Sequence, residues 1–261
     1  MMRRLRSLIL AGLVAVAAAA PAVASEEMEY PKNEWSHGGV TRGFSNIFGT
    51  FDRKALQRGF QVYKEVCSAC HSMNLLSYRN LSALGYNEAE ITAIAAGYDM
   101  TDGPNDEGEM FTRKGVPADH FKAPFPNEKA AAAANGGKAP PDLSLIVKAR
   151  KGGEDYIVAL MTGFEPAPAG FTVPSGGNYN KAFPGHVIAM PPPLSDGGVT
   201  FADGTKATVE QQAKDVATFL AWAAEPNLEA RHQMGLKVMI FLIVLAGILY
   251  AAKRAVWADQ H

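Results

Sequence analysis

Cys67-Ser68-Ala69-Cys70-His71 is the stretch of sequence that decides the fold. It has the pattern C-x-x-C-H, at which a haem is attached covalently through two thioethers. On one helical turn the two thiols are spaced to meet the two vinyl-derived arms of a porphyrin, and the following imidazole projects towards the iron. Cys67 and Cys70 are the only cysteines in the sequence, so no thiol is left over for a disulfide. The motif predicts one covalently bound haem c with His71 as an axial ligand.

Three other uses of the cysteine pair explain the sequence less well. A zinc site needs two further ligands, and the sequence holds no second C-x-x-C and no H-x3-5-H pair. A thiol oxidoreductase also uses C-x-x-C, but there the motif follows a strand, whereas here it follows a segment, 52–66, that is typical of a helix. A structural disulfide leaves His71 unexplained. We therefore interpret the chain as a c-type cytochrome.

The two ends of the sequence predict export and membrane anchoring. Residues 1–24 resemble a secretory signal, with three arginines, an apolar run and a small-x-small cleavage site that places the mature start near Ser25. A second apolar run, Met234 to Ala252, is roughly 28 Å long as a helix, close to the thickness of a hydrocarbon core. Lys253 and Arg254 follow it directly, which predicts a cytoplasmic C-terminus by the positive-inside rule. The alternative is a buried core helix.

The sequence thus divides into a cleaved signal (1–24), an exported haem domain (25–228) and a single transmembrane anchor with a short tail (229–261). Residues 25–228 contain 18 Lys and Arg against 24 Asp and Glu, a net charge of −6, whereas the whole chain has −1. An acidic exported domain argues against nucleic acid and anionic lipid as partners and favours a basic soluble partner. We expect a bacterial inner-membrane protein with its haem domain on the periplasmic side.

Helical patterns dominate the exported domain and predict a mainly α fold. One helix precedes the motif, with Asp52 as its N-cap, and a second begins at Thr208 in a capping-box pattern with Gln211 and ends before Pro226. This pair matches the crossed terminal helices of c-type cytochromes, and Gly59 would permit a close crossing. Further helices are predicted at 87–96, 128–134 and 153–162. The stretch 163–198 is rich in Pro and Gly and predicts long irregular loops.

The second axial ligand is predicted to be Met190. It precedes three prolines, which restrict the backbone and so favour a loop rigid enough to hold a weak thioether on iron. The other methionines lie in an acidic segment, on a predicted helix or in the anchor, and core packing is the ordinary use of any methionine. Histidine side chains are alternative ligands, and one of them competes with Met190 within the same loop: His37, His120 and His186. His/Met ligation leaves no open iron position, which favours electron transfer over catalysis.

The sequence resembles the cytochrome c1 family, the haem subunits of the cytochrome bc1 complex (ubiquinol–cytochrome c oxidoreductase), of the α-proteobacterial type. The resemblance covers nearly the whole mature sequence, and these segments carry it: Trp35-Ser36-His37, Arg58-Gly59-Phe60-Gln61-Val62-Tyr63, Gly103-Pro104-Asn105, Gly108-Glu109-Met110-Phe111, Pro140-Pro141-Asp142-Leu143-Ser144, Gly152-Gly153-Glu154-Asp155-Tyr156, Phe183-Pro184-Gly185 and Trp222-Ala223-Ala224-Glu225-Pro226.

The resemblance implies a c-type cytochrome fold with thioethers at Cys67 and Cys70 and axial ligands His71 and Met190. It implies that Arg150 and Tyr156 approach a haem propionate, since guanidinium and phenol both donate hydrogen bonds to a carboxylate. From the sequence alone, a surface charge in the run Lys148-Ala149-Arg150-Lys151 is the preferred interpretation of Arg150, and the family resemblance favours the propionate. Two prolines, Pro140 and Pro141, are expected near the haem edge. Some bacterial relatives carry an extra cysteine pair in the loop before the methionine; this chain has none, so packing must hold loop 163–185.

The resemblance also implies the partners: cytochrome b, the Rieske iron–sulfur protein as electron donor, a cytochrome c as acceptor, and a dimeric complex. An acidic segment, 99–109, contains five acids and no base and would attract a lysine-rich cytochrome, although a plain solvated loop explains it equally. The implied activity is one-electron transfer, with no bond made or broken on this chain. Two other functions stay open: another membrane-anchored c-type haem subunit or shuttle, and an exported thiol–disulfide oxidoreductase.

Overall fold

Residues 28, 30–31 and 50–260 are described by a computed structural model of the chain. The predicted signal (1–24) and the family-like segment Trp35-Ser36-His37, with the alternative ligand His37, lie outside these residues. The described chain is mainly helical, as predicted, and its helices are α1 (Arg53–Glu65), α2 (Glu88–Ala96), α3 (Glu128–Ala134), α4 (Gly153–Thr162), α5 (Val209–Ala224) and α6 (Leu228–Val256). Short 3-10 helices lie at Cys67–Ala69, Tyr78–Leu84 and Ala258–Gln260.

The N-terminal caps expected from sequence form in all three predicted places. Asp52 accepts hydrogen bonds from the backbone N–H groups of Lys54 and Ala55 at the start of α1. Asn87 forms a complete capping box with Glu90 at the start of α2. At the start of α5, the Thr208 side chain accepts a hydrogen bond from the Gln211 N–H. The predicted second bond of the capping box, from the Thr208 N–H to the Gln211 side chain, is wrong, because the Gln211 side chain donates to Asp215 at 3.0 Å instead.

Helices α1 and α5 cross at Gly59, as the sequence predicted. A Cβ atom added to Gly59 would lie 2.0 Å from the Asp215 carbonyl oxygen and 2.7 Å from Phe219 Cβ, so only glycine fits this close contact. The ring of Phe60, the next residue, lies 5.7 Å from that of Phe219 in the buried core. The crossing fixes the direction of α1, and α1 leads straight into the cysteine motif.

An ion pair beside the crossing strengthens it. Arg58 donates two hydrogen bonds to the carboxylate of Asp215, at 2.7 and 2.9 Å, and one to Asp203 at 2.8 Å. The Asp215 side chain is 2% exposed, so its charge depends on this bidentate partner. The hydrogen bond to Asp215 is the main reason that the pKa of Arg58 is raised.

Strands are few, and a hairpin was not predicted. β1 (Asp99–Asp102) pairs antiparallel with β2 (Phe111–Lys114), so the acidic segment forms one strand and the turn of a hairpin. A second pair, β3 (Asn178–Tyr179) and β4 (Val187–Ile188), interrupts the predicted irregular stretch. The remainder of 163–198 is loop, as expected.

The last helix, α6, has 29 residues and a mean hydropathy of 2.3 over its most apolar stretch, which makes it long and apolar enough to cross a membrane. Its length is about 43 Å at the α-helical rise, longer than the predicted span of Met234 to Ala252. Within α6 only Leu228 is buried against the rest of the chain. The alternative of a buried core helix is therefore wrong, and α6 fits a single-pass membrane anchor.

Candidate haem-binding site

The cysteine motif forms a tight turn directly after α1. Cys67 accepts hydrogen bonds at its carbonyl from the N–H groups of Cys70 (3.1 Å) and His71 (2.9 Å); the first closes a 3-10 turn, and the second has the i→i+4 spacing of an α-helical turn. Ser68 donates its hydroxyl to the Lys64 carbonyl at 2.8 Å and ties the turn to the end of α1. The two thiols and the imidazole are thus held together by one turn, as the motif predicted.

The imidazole of His71 has a partner on only one ring nitrogen. Its Nδ1 lies 2.8 Å from the Pro141 carbonyl oxygen, and because a carbonyl only accepts, Nδ1 carries the hydrogen. The Nε2 atom then holds a free lone pair, which is the form of histidine that binds a metal. Burial lowers the pKa of His71, opposed by this hydrogen bond, so the ring stays neutral at neutral pH.

The Pro140–Ser144 loop is fastened to the residues that follow the motif. Asp142 accepts hydrogen bonds at Oδ2 from Ser72 Oγ (2.8 Å) and the Asn74 N–H (2.9 Å), and at Oδ1 from the Ser144 N–H (2.9 Å). Leu143 donates its N–H to the Ser72 carbonyl at 2.9 Å. These bonds fix the Pro141 carbonyl opposite His71. Asp142 is a site residue to which the sequence reasoning gave no role, although Asp-x-Ser after two prolines indicates a local turn.

The two cysteine side chains are not equivalent. Cys67 is half-buried and packs against the hydrophobic core, whereas Cys70 is exposed, and neither is in a disulfide. Burial raises the pKa of the Cys67 thiol to about 12, and the Cys70 thiol adds to the effect. A redox-active C-x-x-C needs a thiol with a lowered pKa. The raised pKa of Cys67 therefore disfavours the thiol–disulfide oxidoreductase.

Met190 lies in a loop that is held on both sides. Before it, β4 pairs with β3, and Asn178 Nδ2 of β3 donates to the Met190 carbonyl at 3.3 Å. After the three prolines, the Ser195 carbonyl accepts from the fully buried Gln212 side chain of α5 at 2.7 Å. The Met190 side chain is half-buried and packs against the core. These hydrogen bonds restrain the loop on both sides of Met190, and Gln212 is a supporting residue that the sequence did not reveal.

The alternative ligands have other surroundings. His186 adopts a positive φ of 60° and stacks its ring on Tyr179 with a centroid distance of 5.7 Å. His120 is exposed and belongs to an isolated bridge with Ser77. Met161 lies on α4, as predicted, and Met110 is 61% exposed. Met110 and His120 are exposed and Met161 packs on the core, whereas the buried Nδ1 of His186 has no hydrogen-bond partner among the described residues, so His186 stays an alternative ligand.

Arg150 and Tyr156, which the family resemblance paired, are brought together at the start of α4. Arg150 is exposed and is a hydrogen-bond partner of Tyr156, whose phenol is 4% exposed. Burial raises the pKa of Tyr156, and Arg150 opposes that effect. The ring of Tyr30 packs edge-on against Tyr156 with a centroid distance of 5.1 Å, a contact that nothing in the sequence indicated. Pro140 is half-buried and Pro141 is exposed.

A cavity of about 330 Å³ lies beside the Met190 loop. Its lining includes Met161, Asn178, Tyr179 and Leu194, and neither motif cysteine nor His71 belongs to it. We place the functional site at the motif, because the free imidazole nitrogen and the paired thiols are there and the cavity offers no comparable chemistry.

The acidic segment is partly neutralised by the strand opposite it. Lys114 pairs with Asp99 at 2.7 Å, and Arg113 pairs with both Asp102 and Asp119, the latter at 2.7 Å. The remaining three acids of the segment lie exposed around the hairpin turn: Asp106, Glu107 and Glu109. The segment is therefore less negative as a surface than the five acids of its sequence suggested.

Comparison with known proteins decides among the haem proteins that this geometry allows. The sequence model of the cytochrome C1 family matches residues 43–260 of this chain. This chain belongs to the cytochrome c1 family. It is 48% identical to cytochrome c1 of Rhodospirillum rubrum over 97% of both chains. It is also 48% identical to "Cytochrome c1-2, heme protein, mitochondrial" of Solanum tuberosum, over 95% of this chain and 93% of that protein.

The chain is 49% identical to the cytochrome b/c1 protein of Bradyrhizobium diazoefficiens, of which it spans 39%. That protein is much longer, and the match covers 98% of this chain. Membership of the cytochrome c1 family makes the cofactor haem c. The residues of the site fit it: two thiols on one turn, a neutral imidazole with a free Nε2 beside them, and apolar side chains of the core around the turn.

Proposed function

We infer that this chain is the electron-transfer haem subunit of a cytochrome bc1 complex, taking electrons from a Rieske iron–sulfur protein and passing them to a cytochrome c. The observation that carries the proposal is the 2.8 Å contact between His71 Nδ1 and the Pro141 carbonyl, which leaves Nε2 free for iron. When bound, haem c supplies a one-electron iron couple. No side chain of the site needs to act as a general base or a nucleophile for such a function.

The proposed ligand set is His71 and Met190, with thioethers at Cys67 and Cys70. The Pro141 carbonyl fixes the tautomer of His71 and increases its basicity. A thioether binds iron weakly, so Met190 depends on a loop that does not move, and the bonds from Asn178 and Gln212 supply that restraint. With both axial positions filled, the iron would offer no site to oxygen, and a thioether in place of a second imidazole would raise the reduction potential.

Arg150 and Tyr156 are proposed to bind a haem propionate. Both side chains donate hydrogen bonds, and the guanidinium offers a full positive charge to a carboxylate. Their mutual contact places the two donors side by side. Pro140 and Pro141 are proposed to pack near the haem edge, since their loop already contacts His71.

The proposed topology puts the haem domain (25–228), exported by a signal at 1–24, on the periplasmic side of a bacterial inner membrane. Lys253 and Arg254 end α6 and favour a cytoplasmic C-terminus. The chain assembles there with cytochrome b, in a dimeric complex. Co-purification in mild detergent with cytochrome b and an iron–sulfur protein is the expected result, whereas purification as a single haem protein would favour another anchored c-type subunit or shuttle.

The proposed acceptor is a basic cytochrome c that approaches the hairpin turn. Neutralising the three exposed acids of the turn (Asp106→Asn, Glu107→Gln and Glu109→Gln) should lower the second-order rate of its reduction at low salt by about tenfold, because electrostatic steering raises association rates by that order or more. Glu128→Gln, an exposed acid on α3, is the control. An unchanged rate for the triple variant would place the docking surface elsewhere.

Replacing Met190 tests the ligand set. Met190→Leu keeps the volume of the side chain but removes the sulfur, so the reduction potential should fall by more than 100 mV in a site whose potential is set by its axial ligand. The ferrous protein should also begin to bind carbon monoxide. Met161→Leu, another half-buried methionine packed on the core, is the matched control and should change neither property. An unchanged potential in Met190→Leu would remove Met190 from the ligand set.

A further inference from the structure

Glu229, in the first turn of α6, is bonded to the start of α1. Its Oε1 accepts hydrogen bonds from the backbone N–H of Phe51 and from Arg53 Nη1 (3.1 Å), and its Oε2 accepts from Arg53 Nη2 at 2.7 Å. These partners are 176 to 178 residues away in sequence. Because α1 runs from Arg53 directly into the cysteine turn, this carboxylate joins the anchor to the helix that carries the motif.

A second carboxylate, Glu225, spans the turn between α5 and α6. It pairs with Arg231 of α6 and, at 3.2 Å, with Lys148. The Glu225 side chain is 17% exposed, whereas Lys148 and Arg231 are 51% and 59% exposed, so the carboxylate is partly shielded from solvent and its two partners are not. Lys148 follows the Pro140–Ser144 loop within one short turn, because the Leu145 carbonyl accepts its N–H at 3.0 Å. Glu225 therefore joins the anchor to the segment whose carbonyl holds His71.

Apolar contacts support the three ion pairs of Glu225 and Glu229. Leu228, the first residue of α6, is 6% exposed, and Phe51, beside Arg53, is 5% exposed; both belong to the hydrophobic core. Only three residues separate α5 from α6, and one of them is Pro226, which limits rotation of the turn. The first turn of α6 is therefore bonded both to the start of α1, through Glu229, and to Lys148, through Glu225 and Arg231.

We propose that Glu225 and Glu229 are positioning residues that fix the tilt of the haem domain, and so of the haem plane, relative to the membrane helix. The inference rests on the proposed function, since it needs the haem to exchange electrons with membrane-bound partners. Glu229 links the first turn of α6 to the start of α1, the helix that leads into the cysteine turn, and Glu225 links that first turn, through Arg231, to Lys148 after the Pro140–Ser144 loop. Without these links the domain can rock about the Glu225–Leu228 turn.

Oriented membrane multilayers test this proposal. Electron paramagnetic resonance, recorded as the sample is rotated in the magnetic field, measures the angular distribution of the haem. In the double variant Glu225→Gln/Glu229→Gln this distribution should become about twofold wider, as expected for a freed domain hinge. Glu210→Gln, which removes an exposed pair with Lys214 on α5, is the matched control and should leave the distribution narrow. Reversing the main pair in Arg53→Glu/Glu229→Arg should restore most of the order lost in Glu229→Arg alone.

Hydrogen exchange gives a second readout that does not depend on the haem. The backbone amides of residues 225–231 in the detergent-solubilised chain should exchange at least tenfold faster in the double variant, because the turn loses its ionic restraints. Unchanged exchange, or an unchanged angular distribution in haem-loaded membranes, would overturn the proposal. Wild-type membranes without a covalent haem signal would instead refute the proposed function, and amide exchange would still decide whether the two carboxylates restrain the anchor.

Discussion

Gly59→Ala is the substitution that tests the helix crossing most sharply, because two effects oppose each other. In the middle of an ordinary helix, glycine to alanine stabilises a protein by about 1 kcal/mol through the higher helix propensity of alanine. Here the new methyl group would lie 2.0 Å from the Asp215 carbonyl oxygen. A normal carbon–oxygen contact is about 3.3 Å or longer, so α5 must move away by about 1.3 Å. The obstacle is backbone, which cannot turn aside as a side chain does.

Overpacking of this kind costs about 1–3 kcal/mol, and a backbone obstacle places Gly59→Ala at the upper end. After the gain of about 1 kcal/mol in helix propensity is subtracted, we expect a net loss of about 2 kcal/mol. For a domain of this size the corresponding fall in melting temperature is about 4–8 °C. Thermal unfolding of the holoprotein in detergent, followed by far-ultraviolet circular dichroism, measures it. Gly235→Ala on α6, where an added Cβ meets nothing within 4 Å, is the control and should not destabilise the protein. A Gly59→Ala protein as stable as the wild type, or more stable, would refute the close crossing.

Four further substitutions probe the ion pairs and the loop beside the motif. Asp215→Asn should cost about 3–5 kcal/mol in urea unfolding, because it leaves Arg58 without its buried partner, whereas the more exposed Asp203→Asn should cost less than about 1 kcal/mol. The Arg113 guanidinium beside Asp119 holds the pKa of that carboxyl at about 2, below its unfolded value. The ionised carboxylate therefore stabilises the folded protein fully above about pH 4, and this stabilisation is lost as the pH falls towards 2. In Asp119→Asn the melting temperature should decline less steeply between pH 4 and 2, and a decline identical to that of the wild type would contradict the Asp119–Arg113 ion pair. Asp142→Ala should loosen the Pro141 carbonyl and weaken its hydrogen bond to His71, the proposed axial ligand, and so raise the reduction potential, which a redox titration measures; an unchanged potential would show that other contacts suffice.

The helices were predictable because their signals are local. Asp52, Asn87 and Thr208 each lie next to the N–H groups that they cap, so the caps can be read from a few adjacent residues. The Gly59 crossing was also predictable, since a small residue on an apolar helix face indicates close packing. The reciprocal bond of Gln211 was not, because its competing partner Asp215 is determined by the ion pair with Arg58 from another helix.

The hairpin and the supporting residues of the site could not be predicted, because their contacts join residues that are far apart in the sequence. The pairing of β1 with β2 places Lys114 and Arg113 beside acids that the sequence separates from them, so the charge of the acidic segment was overestimated. Asp142 reaches its partners across 68 to 70 residues. The motif itself predicted the chemistry of the site but not the contacts that hold it in place.

The most direct test of the whole account is a pyridine haemochrome spectrum of the purified chain after denaturation and extraction with acidic acetone. A haem held by thioethers at Cys67 and Cys70 resists extraction, so the denatured chain should retain one haem c, and Cys67→Ala/Cys70→Ala should retain none. A wild-type chain that loses all its haem to the solvent would contradict the assignment of the motif, and with it the proposed electron-transfer function.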